Sequence, residues 1–109
     1  MDGTRLTTYT AQDAGASIEL TPGAEFEVRL DENPTTGYRW RAGDWDQSIV
    51  DVTHEEFRPA ERSGTGAGGE HVWQLQARAP GKTVVRLTYG RGWESGAAAR
   101  EFSLTVTVA

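Results

Sequence analysis

Strict alternation of apolar and polar residues, in runs too short for most helices, limits more than any other feature how this chain can fold. Phe102, Leu104, Val106 and Val108 are separated by Ser103, Thr105 and Thr107, and Val85, Leu87 and Tyr89 repeat the pattern. A period of two puts one set on each face of a pleated strand, whereas a helix needs apolar residues three and four apart. Similar alternation marks 17–20, 24–30, 38–42, 49–54 and 73–77, and a Thr-rich, weakly patterned segment covers 4–10. No stretch carries a convincing helical stripe. Gln12 to Gly15, Thr21-Pro22-Gly23 and Ala79-Pro80-Gly81 are turns. Seven or eight short antiparallel strands so spaced predict an all-β sandwich. Its expected core is Phe26, Val28, Leu30, Trp40, Val50, Val52, Trp73, Leu75, Val85, Leu87, Phe102, Leu104 and Val106.

Composition removes several classes of function. With 37% hydrophobic residues over 109 positions the chain can build a core, and it reads as a single domain, 1–109, without repeat or linker. Eleven basic against sixteen acidic residues give a net charge of −5, which suits neither nucleic acid nor an anionic membrane. The absence of cysteine rules out a disulfide framework, a thiolate metal site and a cysteine nucleophile, and leaves the compartment open. Met1 to Arg5 has no apolar run of the signal-peptide kind, and no segment approaches the length of a membrane span.

The stretch Asn33-Pro34-Thr35-Thr36-Gly37-Tyr38 interrupts two alternating segments and reads as the shaped tip of a hairpin. Proline fixes its own φ and extends Asn33, Gly37 permits the positive φ at which the chain turns back, and two β-branched threonines stiffen the middle. A turn does not need those threonines. If successive strands are antiparallel, the connections 31–37, about 58–70 and 90–98 all emerge at one end of the sandwich. They are the longer, irregular, Gly-rich ones, and long loops at one end of a rigid frame are how sandwiches build binding surfaces.

Catalytic chemistry has little to work with. His54 and His71 lie in strands with no serine, aspartate or second histidine at ligand spacing, and read as exposed or half-exposed residues. Glu55-Glu56 and Asp44/Asp46 read as solvated charge, since general acid–base work needs two carboxylates converging on one cleft. No metal site or cofactor is expected. Gly64 to Gly69 imitates a phosphate loop but precedes a strand and lacks the lysine. Its glycines suit a flexible hairpin tip, or a backbone that a partner approaches closely. Gly90-Arg91-Gly92-Trp93 sets a tryptophan beside arginine between glycines, the composition of an interface hot spot.

These three segments together resemble the chagasin-type inhibitors of papain-family cysteine proteases, whose fold is immunoglobulin-like. The family carries an Asn-Pro-Thr-Thr-Gly-aromatic loop, a Gly-x-Gly-Gly loop and an Arg-Pro-Trp loop, in that order. Here the first is intact at Asn33, Pro34, Thr35, Thr36, Gly37 and Tyr38, with Trp40 following. The second matches at Gly66, Gly68 and Gly69, and the third at Arg91 and Trp93, with Gly92 where proline is usual. The resemblance implies a monomeric, non-covalent inhibitor of a papain-like protease, cathepsin-L-like or related. The 33–37 loop would enter the active-site cleft and the other two would grip the enzyme on either side. The rival reading is a carbohydrate-binding or adhesion module on the same fold, with Trp93 and Trp45 as a stacking platform. An enzyme comes last, for want of a nucleophile–base pair.

Overall fold

Period-two patterning becomes eight strands in the computed structural model, which describes residues 6–33, 37–59, 68–91 (backbone only at Arg91) and 100–109. They are β1 (Thr7–Tyr9), β2 (Ala16–Leu20), β3 (Glu25–Glu32), β4 (Tyr38–Ala42), β5 (Val50–Pro59), β6 (Gly69–Ala77), β7 (Gly81–Arg91) and β8 (Arg100–Val108). Two four-stranded sheets stack face to face, one in the order β1-β3-β6-β5 and the other β2-β8-β7-β4. The expected turn at 12–15 overlaps a 3-10 turn, Ala11–Asp13, closed by a capping box in which Thr10 and Asp13 exchange hydrogen bonds. It carries the chain from β1 in the first sheet to β2 in the second. That switch makes β1 parallel to β3 and β2 parallel to β8, while the other four pairings are antiparallel.

Between the sheets lies the core. Every residue expected there is buried except Val52, which is half-buried and packs against it. Val72, Ala77 and Val108 are buried as well. Val72 lies on the outer face of β6, where the register sets it between Arg29 and Glu56. Arg29 pairs there with Glu27 and Glu70, and Arg58 with Glu56. Long charged side chains commonly cover apolar surface with their stems in this way. The outer face of the second sheet is of opposite character. Arg39, Arg41, Lys82 and Arg86 stand exposed on it, in no ion pair among the described residues, and outnumber the exposed Glu19 and Glu101.

Two features differ from the expectation. The segment around 33–37 is not the tip of a hairpin: β3 belongs to one sheet and β4 to the other, so the connection crosses between layers. Alternation identifies a strand but not its partner. β5 also runs on to Pro59 rather than ending near His54. A bulge between Val52 and His54 inserts Thr53 and reverses the phase, so Val50 and Val52 face the core before it, and Glu55 and Phe57 after it.

The grouping of long connections at one end is observed. Glu32 and Pro59 both pair with Gly69 at one edge of the first sheet, and Tyr38 with Arg91 and Tyr89 with Arg100 at the matching edge of the second. The chain therefore leaves and re-enters the frame around 33–37, 60–68 and 92–99 at the same end. Short turns close the other end, tied by Gly23 N–H to Ala77 O at 2.8 Å and Arg78 N–H to Ile49 O at 2.7 Å.

Candidate functional site

At the loop end β3 and β4 share no ladder, so side chains must set the spacing of the two stems that flank the central loop. Glu32, the last residue of β3, points inward with only 2% of its side chain exposed. Its carboxylate reaches across to the second sheet, where Oε2 accepts the Trp40 N–H at 2.6 Å. The Trp40 indole Nε1–H returns the tie by donating to Asp31 O at 2.8 Å. Asn33 N–H donates to the Tyr89 hydroxyl at 3.4 Å. Gly37 has φ 84°, the left-handed conformation that the turn required of it.

An aromatic row backs the stem of β4. The Tyr38 and Tyr89 rings lie 5.4 Å apart, and Tyr89 and Trp40 5.0 Å. The Arg100 guanidinium sits 5.5 Å from the Trp40 ring and 5.7 Å from Tyr89, within reach of a cation–π attraction. Trp40 is core, as its strand phase implied. Arg29, Asn33, Arg58, Gly68, Tyr89 and Arg100 are among the residues that line a concavity at this end.

His71 is a half-exposed strand residue, as expected, but it is more engaged than its sequence neighbours imply. Its side chain is 13% exposed and its ring stacks on Trp73 at 4.1 Å, 6° from parallel. Nδ1 lies 3.1 and 3.2 Å from the two oxygens of Glu32, and Nε2 2.7 Å from Glu55 Oε2. Glu32, Glu55 and His71 come from three strands, so no local spacing could announce them. Glu32 and His71 signal only as charge on the core side of an apolar phase, and Glu55 joins them only through the bulge at Thr53.

The remaining charged pairs are structural. His54 stays exposed and contacts Glu56 at 3.2 Å. Hydrogen bonds from Arg58 and then His54 hold the Glu56 carboxyl below the usual carboxylate range, and the same pair raises Arg58. Glu55 and Glu56 thus face opposite sides of β5 and do not converge. Asp46 caps its own turn, accepting from Ser48 N–H at 3.0 Å and Ser48 Oγ at 2.5 Å. Among the described residues no group of three or more acidic or histidine side chains is disposed to hold a metal.

Of the residues singled out from the sequence, Asn33, Gly37, Tyr38, Gly68, Gly69 and the backbone of Arg91 stand together at the loop end. Pro34, Thr35, Thr36, Gly66, Gly92 and Trp93 lie outside the described residues. Gly69 is enclosed: a Cβ there would overlap Arg58 O and come within 2.8 Å of Pro59 Cα. A Cβ on Gly68 would meet nothing within 4 Å. Trp45 is half-buried near the closed end and donates its Nε1–H to Val50 O at 2.8 Å. The next residue, Asp46, bonds Thr83 near the start of β7, so Trp45 belongs to the opposite end of that strand from Arg91.

Comparison with known proteins adds to this geometry. A family model described as Chagasin family peptidase inhibitor I42 matches residues 19–108. Chagasin of Trypanosoma cruzi is 33% identical over 84 residues, 72% of this chain and 76% of its own. Amoebiasin-1 of Entamoeba histolytica is 28% identical over 101 residues, 91% and 96% of the two chains. The crystal structure of the cysteine protease inhibitor EhICP2 from Entamoeba histolytica superposes with a TM-score of 0.87 over 95% of this chain and 96% of that one. At 21% identity that likeness speaks for the fold.

Proposed function

This chain belongs to the chagasin family of peptidase inhibitors, and we propose that it blocks papain-like cysteine proteases by laying the loop end of its sandwich across their active-site cleft. It is an inhibitor and not an enzyme. The observation that carries this reading is the departure of three connections, 33–37, 60–68 and 92–99, from one end of a frame built of both sheets.

In this reading Asn33 to Gly37 form the wedge. Thr35 and Thr36 offer a narrow, uncharged surface to the catalytic cysteine and histidine, with no charge to strip of water. A loop fixed at both stems loses little freedom on binding and does not relax into the extended geometry that cleavage needs. Gly66 to Gly69 let backbone approach the enzyme, and Trp93 with Arg91 supplies buried area. Such an interface buries on the order of 1,600 Å² in total. Gly92 in place of proline leaves the third loop freer and costs about 0.5–1 kcal/mol of binding, a several-fold loss.

Titration of papain with the purified chain should give reversible, stoichiometric inhibition, with the inhibitor intact by mass spectrometry after prolonged incubation. Undiminished activity across several papain-like enzymes would overturn the reading. Thr35→Arg or Thr36→Arg should raise the inhibition constant about tenfold or more without lowering the melting temperature, since each buries an unpaired charge. The carbohydrate-binding reading needs Trp45 on a platform with Trp93. Trp45 is instead committed to Val50 near the other end.

A further inference from the structure

We propose that Glu32, locked by His71, is the positioning residue of the inhibitory wedge: it fixes the two stems of the 33–37 loop and so sets the loop's shape before a protease arrives. The proposal rests on the reading of 33–37 as the wedge, and it adds two residues that the loop motifs do not contain.

A hairpin would hold its stems with backbone pairing, but β3 and β4 lie in different sheets. Two crossing bonds take over that role, Trp40 N–H to the Glu32 carboxylate at 2.6 Å and Trp40 Nε1–H to Asp31 O at 2.8 Å. Both tie the residues just before the loop to the same residue just after it. A hydrogen bond to a charged acceptor is about twice as strong as one between neutral groups, so the carboxylate is the firmer tie.

Burial of that carboxylate is the second observation. Glu32 has 2% of its side chain exposed and no lysine or arginine partner among the described residues. A buried carboxylate is tolerated only if hydrogen-bonded, and His71 supplies the bonds at 3.1 and 3.2 Å. His71 is itself fixed on three sides: by its place in β6, by Trp73 against its ring, and by Glu55 2.7 Å from Nε2. Its two ring nitrogens face different carboxylates, Nδ1 that of Glu32 and Nε2 that of Glu55. The chain β5–β6–β3–β4 is thereby linked through Glu55, His71, Glu32 and Trp40, ending at the wedge. The carboxylate thus ends on the backbone of β4 three residues beyond the loop, not on another core side chain.

The experiment compares wild type with Glu32→Ala, Glu32→Gln and His71→Gln in two assays. One is inhibition of papain, resolved into association and dissociation rates. The other is amide hydrogen exchange in the free protein at Gly37 and Trp40, against Val28 and Val106 in the core. Glu32→Ala should weaken inhibition about tenfold or more and speed exchange at Gly37 and Trp40 by a similar factor, with Val28 and Val106 little changed. Glu32→Gln should recover most of that loss, because its carbonyl still accepts the Trp40 N–H. His71→Gln, outside the loop stems, should reproduce the Glu32→Ala pattern in weaker form and serves if Glu32→Ala does not fold. Exchange that rises equally at all four amides, or at none, overturns the proposal. If wild type fails to inhibit, the proposed function falls, and with it the wedge; the exchange assay then reports only whether Glu32 holds the stems.

Discussion

Gly68 and Gly69 are adjacent, yet a methyl group would do different things at each. On Gly69 it meets Arg58 O, Phe57 Cζ at 2.7 Å and Pro59 Cα at 2.8 Å, two of them backbone atoms that cannot swing aside. Gly69→Ala should therefore cost about 1–3 kcal/mol in a urea unfolding experiment. Gly68 faces open space. Gly68→Ala should leave unfolding within about 0.5 kcal/mol of wild type and weaken protease inhibition, separating contact from stability. Trp73 and Trp40 make a similar contrast. Both are buried, but the Trp73 Nε1–H has no hydrogen-bond partner among the described residues, while that of Trp40 donates to Asp31 O. A buried donor left unpaired costs about 1–3 kcal/mol. Trp73→Phe removes that penalty along with some packing, so it should destabilise by about 1 kcal/mol or more less than Trp40→Phe, as denaturant midpoints would register.

Strands were legible in the sequence wherever alternation was unbroken, and lost where geometry broke it. β4 was delimited correctly from Tyr38 to Ala42, and β8 followed Phe102, Leu104, Val106 and Val108. The second half of β5 was missed because Thr53 shifts the phase, leaving Phe57 out of step with Val50 and Val52. Pairing across the sandwich was not legible at all, since Asn33 to Tyr38 suits a hairpin and a sheet crossing equally well. The loops that carry the family's motifs could be named from sequence. The Glu32–His71–Glu55 chain beneath them could not, because it depends on register among three strands. At this scale frame and connections should be separable. Doubling the length of the 60–67 connection with Gly and Ser should lower unfolding free energy by only about 0.6 kcal/mol, the added closure entropy. Inhibition should suffer far more, because ordering a longer loop against the enzyme costs more on binding; urea midpoints and inhibition constants measured together would check this.

The molecule as a whole has two outer faces of unlike charge. One is a lattice of carboxylates partly neutralised by Arg29 and Arg58, and the other carries Arg39, Arg41, Lys82 and Arg86, in no ion pair among the described residues, against Glu19 and Glu101. Two copies related by a twofold axis would set like against like, whereas the acidic face of one copy complements the basic face of the next. That contact is head-to-tail and does not close on itself, so it favours short open stacks over dimers. At about 150 mM salt, where the Debye length is near 8 Å, the chain should sediment as a monomer. At about 10 mM it should show weak, concentration-dependent growth, which Arg39→Glu with Arg41→Glu abolishes. The unneutralised arginines thus make ionic strength a control on crowding between inhibitor molecules, independent of any protease.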